Sequence, residues 1–207
     1  MRNTLSVLVL ADSYDLTRAD TVKAELGISG SSEDANIAAW IGQASSAIAA
    51  YCNRTLAMET VSETFRFELC EPRADCLLLS RYPVQNIVSI TEDGTALTSD
   101  DFEVDPDTGE LFRLSSDYPR DWCGRTIVVQ YVGGYELLPD LPQAIERACI
   151  NLVKTYRAAA ARDPLVRSET VDGVLSQTFW VGTVPGSSGG IPPDVTAMLD
   201  PFVRYDR

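Results

Sequence analysis

The stretch CLLLSRYPVQNIVSITEDG, Cys76 to Gly94, decides how this chain is read. CLLLS is a short apolar run of the kind that fills a buried strand, and VQNIVSI is a second run of strand type. Between them Arg81, Tyr82 and Pro83 impose a corner. Proline has no N–H to give a central ladder, so Pro83 belongs where one strand ends and the next begins. Asp93-Gly94 then supplies the chemistry of a chain reversal.

Working outward, a period of two runs from Val61 to Tyr135. In VSETFRFEL, residues 61–69, Val61, Phe65, Phe67 and Leu69 point one way while Thr64, Arg66 and Glu68 point the other. DFEV, ELFRL and TIVVQYV follow, separated by the turn-rich EDG, DPDTGE and DWCGR. This part reads as an antiparallel sheet or small barrel. YVGGYELLP, residues 131–139, holds paired glycines but no phosphate-cradle spacing, and reads as a strand exit.

Helical patterns flank the β segment. Thr17 is placed to cap a first helix that Gly27 stops, with Asp20 in its first turn. A second helix opens at Ser31 or Ser32, with Glu33 and Asp34 in its first turn and an apolar stripe of Ile37, Ile41, Ala44, Ile48 and Tyr51. A third starts at Asp140 with Pro142 in its first turn, its stripe being Ile145, Cys149, Leu152, Val153 and Tyr156. The second and third are expected to pack together. The run LSVLVLA near the N-terminus is too short for a membrane span and reads as a strand or extended arm. After Arg162 the pattern dissolves into a polar, glycine-rich tail that ends in a short helix bearing Val195, Met198, Leu199 and Phe202. With Phe179 and Trp180, that tail looks built to dock on a partner.

The fold class expected is therefore α+β: a small helical bundle of two long antiparallel helices plus short ones, an inserted antiparallel sheet or small barrel, and an extended C-terminal segment. The corresponding divisions are residues 1–60 (arm and helices), 61–135 (β unit), 136–162 (long helix) and 163–207 (docking tail).

Composition limits the function. The 207 residues carry 17 Lys+Arg against 30 Asp+Glu, a net charge of −13, which disfavours any surface that wraps nucleic acid. No histidine is present, so nucleophile triads that rely on imidazole are excluded. The cysteines Cys52, Cys70, Cys76, Cys123 and Cys149 form no C-x-x-C pair and suit a reducing compartment. Asp100, Asp101, Asp105, Asp107 and Glu110 could be imagined as hydrolytic carboxylates, but no apolar residues surround them to raise a pKa, and a solvated hairpin loop outweighs that reading. Asp105, Asp107 and Gly109 echo a calcium loop yet lack its closing glutamate. Arg157, Arg162 and Arg167 suit either an acidic partner or the negative end of the third helix. No catalytic centre, metal or cofactor is expected.

Taken together, LTRADTVKAELGI (16–28), QASSAIAAYCNRTL (43–56), LLLSRYPVQNIVSITEDG (77–94), DFEVDPDTGELFRL (101–114), IVVQYVGGY (127–135) and LPQAIERACINLVKTYR (141–157) resemble the head-tail connector, or adaptor, family of tailed bacteriophages and gene transfer agents, also called head completion proteins. The resemblance implies a structural, non-enzymatic subunit of the virion neck, assembled in the bacterial cytoplasm. It further implies a ring, typically of twelve copies, beneath the portal, extending a DNA channel and giving a platform to the next tail or stopper protein. Under that reading Phe179, Trp180, Val195, Met198, Leu199, Phe202, Arg162 and Arg167 would dock on the portal. Glu92, Asp93, Asp105, Asp107 and Glu110 would face the channel or the tail, repelling DNA so that it passes without sequence-specific binding. A stopper, a tail terminator or an intracellular binding module are the alternatives.

Overall fold

Alternating side chains from Val61 onward do form sheet, and the N-terminal run joins them. In this computed structural model, which describes residues 1–68, 74–138, 140–160, 168–171, 175–178 and 190–204, the chain divides into two compact units. The first comprises Met1–Ser13 and Thr55–Leu137, the second Tyr14–Arg54 and Leu138–Arg207.

The first unit contains Arg2–Val9 (β1), Glu59–Arg66 (β2), Cys76–Leu78 (β3), Val84–Glu92 (β4), Thr95–Ala96 (β5), Phe102–Val104 (β6), Glu110–Ser115 (β7), Tyr118–Arg120 (β8) and Thr126–Gly133 (β9). One sheet has the order β1-β2-β9-β4-β5; the other has the order β3-β7-β6, with β8 also pairing β7, and every pairing is antiparallel. Their shared core is Val61 and Phe65 of β2, Leu77 and Leu79, Ile90 of β4, Leu111 of β7, Trp122, and Ile127, Val129 and Tyr131 of β9. Trp122 is buried whole, and its indole N–H finds the Leu111 carbonyl at 3.2 Å, which removes the penalty of burying a donor.

The Arg81-Tyr82-Pro83 corner, with a cis bond before Pro83, lies against the end of β9. A Cβ on Gly133 would collide with the Arg81 carbonyl oxygen and stand 2.9 Å from its carbon, and one on Gly134 would collide with the Ala57 carbonyl. Gly134 also has φ +110°, closed to side-chain-bearing residues. The paired glycines are thus a site of backbone contact between the strand exit and the corner.

The second unit holds Ala19–Leu26 (α1), Asp34–Tyr51 (α2), Gln143–Ala160 (α3) and Pro193–Leu199 (α4). The helix α3 packs on α2 and carries α4, while α1 touches both long helices. Ile37, Ile41, Ala44 and Ile48 of α2 and Ile145, Cys149, Leu152 and Val153 of α3 are buried, as their helical spacing predicts. A further antiparallel hairpin joins Ser168–Val171 (β10) to Leu175–Thr178 (β11), within a segment whose sequence offers no steady period.

Two expectations are corrected. The architecture is α+β, but it is not a helical bundle with a β insert. Antiparallel sheets match the helices in extent, and β1 adds the N-terminus to a β unit with its own core. Nor does Thr17 cap α1. The helix starts at Ala19 after Arg18, and the buried Thr17 hydroxyl instead donates to the Glu146 carboxylate at 3.1 Å. Gly27 does end α1, at φ +64°.

Replacing Gly133 with Ala should destabilise the protein by about 3 kcal/mol, read as a lowered urea midpoint, because the new methyl must push backbone aside.

Candidate functional site

The functional geometry is best built from β2. Residues 59, 61, 63 and 65 share its buried face, so two glutamates stand in phase with Val61 and Phe65. Glu63 has no exposed surface and accepts four hydrogen bonds. Its Oε2 takes the Ser80 N–H at 2.9 Å and the Tyr131 hydroxyl at 2.8 Å; its Oε1 takes the Ser80 hydroxyl at 2.6 Å and the Asn3 amide at 3.1 Å. Tyr131 in turn accepts the Arg81 N–H at 3.0 Å. Burial, then the neighbouring Glu63 charge, push the Tyr131 hydroxyl up, so it remains a donor. Glu59 completes the arrangement by accepting Arg81 Nε at 2.8 Å. The corner is held from β1, β2 and β9 at once, and a buried charge with this many donors is stable where an unpaired one would not be.

Sequence reasoning missed Glu59 and Glu63, although the signal was present. Both share the parity of Val61 and Phe65, and an acid on the inner face of a strand asks for donors.

The acids of the loops are largely turned to internal use. Glu92 accepts Arg113 Nε at 3.0 Å and the N–H groups of Cys123 and Gly124 at 3.1 and 2.9 Å. Burial alone would raise its pKa, but these bonds outweigh burial and hold it below the usual glutamate value. Asp93 accepts the Arg125 and Thr126 N–H groups at 3.1 and 2.8 Å. Asp101 closes a capping box with Thr98, whose N–H and hydroxyl lower the carboxyl to about 2. Asp105 is lowered by the Asp107 N–H and by Thr108, the bonds of a tight side-chain turn. Asp107 is exposed, Asp93 is exposed at its turn, and Glu110 is half-buried at the start of β7. Asp100 and Asp101 thus belong to one turn, Asp105 and Asp107 to the next and Glu110 to the start of β7.

In the second unit Val195 and Leu199 are buried, Met198 and Phe202 half-buried. The turn after α4 is tied down by Tyr51, whose hydroxyl donates to Asp200 at 2.5 Å, and by the Arg204 N–H on the Cys52 carbonyl at 2.9 Å. The short terminal helix thus docks on its own helices. Arg157 meets an acid of its own chain, Glu33, with two bonds of 2.9 and 3.0 Å. Phe179, Trp180, Arg162 and Arg167 lie outside the described residues. Burial pushes the Cys52 thiol up to about 11 and Cys149 up to about 12, which keeps both protonated. Among the described residues no three His, Cys, Asp or Glu side chains gather in a way that could hold a metal ion.

A buried carboxylate spent on bracing, acids spent on turns and a terminal helix seated on its own unit describe an α+β protein whose polar side chains are largely tied into its own fold. The chain belongs to the head completion protein family, which it matches over residues 15–205. No curated protein matches the sequence. Its fold is similar to that of a chain in the neck of an empty GTA particle computed with C6 symmetry, with a TM-score of 0.59 at 14% identity, covering 99% of this chain and 97% of that one. A chain of the native GTA particle neck computed with C12 symmetry gives 0.58 at 14%, with the same coverage. One from the virion of a native gene transfer agent (GTA) particle gives 0.58 at 15%, covering 98% and 96%.

Two measurements test the bracing. Glu63→Gln should cost about 2 kcal/mol by urea unfolding, and Glu63→Leu more, because it strands the Ser80 and Tyr131 donors. For Glu92, a carboxyl lowered in the folded state stabilises above its unfolded pKa and ceases to do so as pH falls through the folded value. The gap in melting temperature between the native protein and Glu92→Gln should accordingly be open at neutral pH and close on acidification below the ordinary glutamate range.

Proposed function

We propose that the chain is the adaptor subunit of a tailed particle: many copies form a ring below the portal, prolong the DNA passage and offer a platform to the next neck or tail protein. The observation that carries this reading is the extent of the likeness. Both units, over nearly the whole chain, follow subunits from necks computed with six- and twelve-fold symmetry, and the family match spans residues 15–205. A subunit of this kind acts by shape and repetition and makes no covalent bond. The braced corner fits that role, since a ring that must bear DNA passage and tail attachment calls for fixed edges.

In this reading Asp93 and Asp107, exposed at turns of the β unit, face the channel or the tail and repel phosphate; Glu92, Asp105 and Glu110 shape the loops that present them. Portal contact falls to the C-terminal segment: Phe179, Trp180, Arg162 and Arg167, with the half-buried Met198 of the helix that Val195 and Leu199 anchor and Phe202 in the turn after it.

Retention on the portal protein separates adaptor from stopper. With portal as the only other neck component, the chain should be retained and should appear by electron microscopy as a ring of twelve copies, the symmetry of the similar neck. Retention that requires a further neck protein would make it a stopper, and a chain that stays monomeric in both settings would refute the ring.

A further inference from the structure

We propose that neighbouring copies join through the two edges of the five-stranded sheet, β1 of one subunit adding to the outer edge of β4 in the next. This rests on the ring reading above. The observation behind it is the end of β1, where Val7, Leu8, Val9 and Leu10 are four consecutive apolar residues, 38, 54, 60 and 68% exposed. The strand pairs β2 on one side and, among the described residues, is the sheet's edge on the other. Apolar residues that point to both faces of an unprotected edge strand invite pairing, and soluble chains ordinarily break such runs with charge or proline.

The second observation lies at the opposite edge. The short β5 covers only Thr91 and Glu92 of β4, the Leu97 N–H takes the Ile90 carbonyl, and the Val84 N–H goes to Pro106. Among the described residues, 85–89 between them form the outer edge of the sheet, and there Val88 is 55% exposed while its neighbour Ile87 is half-buried against the core. Register irregularities between Val84 and Asn86 and between Ile87 and Ser89 limit this edge to a short pairing, which suits a contact confined to the end of β1.

Strand direction agrees. β1 is antiparallel to β2, β2 to β9 and β9 to β4, so β1 and β4 run in opposite senses. The small turn between neighbours of a twelve-fold ring leaves a strand's sense nearly unchanged, so β1 set beside the next copy's β4 is antiparallel, the favoured pairing. A ring also demands two different, complementary patches on each subunit, which opposite edges of one sheet provide, whereas β1 against β1 would close a two-fold dimer and stop.

Two differently tagged chains test this, one carrying Leu8→Cys and the other Val88→Cys, both with Cys70, the half-buried Cys76 and the exposed Cys123 changed to Ser, assembled together with portal and treated with a short bis-maleimide crosslinker. The expected product is a crosslink between the two tags. A crosslink formed by the Leu8→Cys chain alone would show two-fold pairing and overturn the proposal. Rings that form with neither crosslink would overturn it while leaving the ring reading intact, and the absence of rings would remove both. In parallel, Leu8→Lys with Leu10→Lys, at exposed positions, should leave the melting temperature of the free chain unchanged and reduce ring yield about tenfold or more. Unchanged yield would count against the edge contact.

Discussion

A single buried carboxylate fixes how the first unit is closed. Glu63 gathers donors from β1, from the corner and from β9, so four stretches of chain far apart in sequence are referred to one pair of oxygen atoms. Alone in a core the charge would be untenable; with four donors and an Arg81–Glu59 pair beside it, it specifies one arrangement of the corner and penalises every other. Apolar packing by Phe65, Leu77 and Trp122 supplies most of the driving force, but it is non-directional and could not by itself choose where the chain turns.

Much of this was legible beforehand, and the failures have physical causes. Period two marks β2 and β9, β4 is legible from its strand-type composition although two register shifts break its alternation, and the helical stripes of α2 and α3 match the buried positions almost residue for residue. LLLSRYPV and YVGGY, noticed as separate marks of resemblance, turn out to touch: Gly133 is small because Arg81 lies against it. The bundle expectation failed because β1 pairs with a strand more than fifty residues away, a contact that no local pattern announces. Thr17 deceived for a related reason, since a hydroxyl suited to capping found Glu146 across the helical unit. Glu63 could have been found by taking parity as seriously for acids as for apolar residues.

The net charge of −13 also acquires a more specific meaning. Glu92, Asp93, Asp101 and Asp105 each accept backbone N–H groups at a turn, which makes them local hinges of the loop architecture as well as contributors to a negative field. Arg113, buried between Glu92 and Asp101, links two of these turns through one guanidinium. An acidic exterior and a well-cornered β unit are thus obtained with many of the same residues.

The order of the chain has one last effect. Each unit is assembled from two separated stretches, and the two units alternate along the sequence, residues 1–13 waiting for 55–137 while 14–54 wait for 138 onward. During synthesis the apolar N-terminal strand leaves the ribosome long before β2 can cover its inner edge, and α2 emerges before α3 exists to bury its stripe. The first unit is complete in sequence once residue 137 has been made, whereas the second still needs everything from 138 onward, so the apolar stripe of α2 stays uncovered while the sheets close.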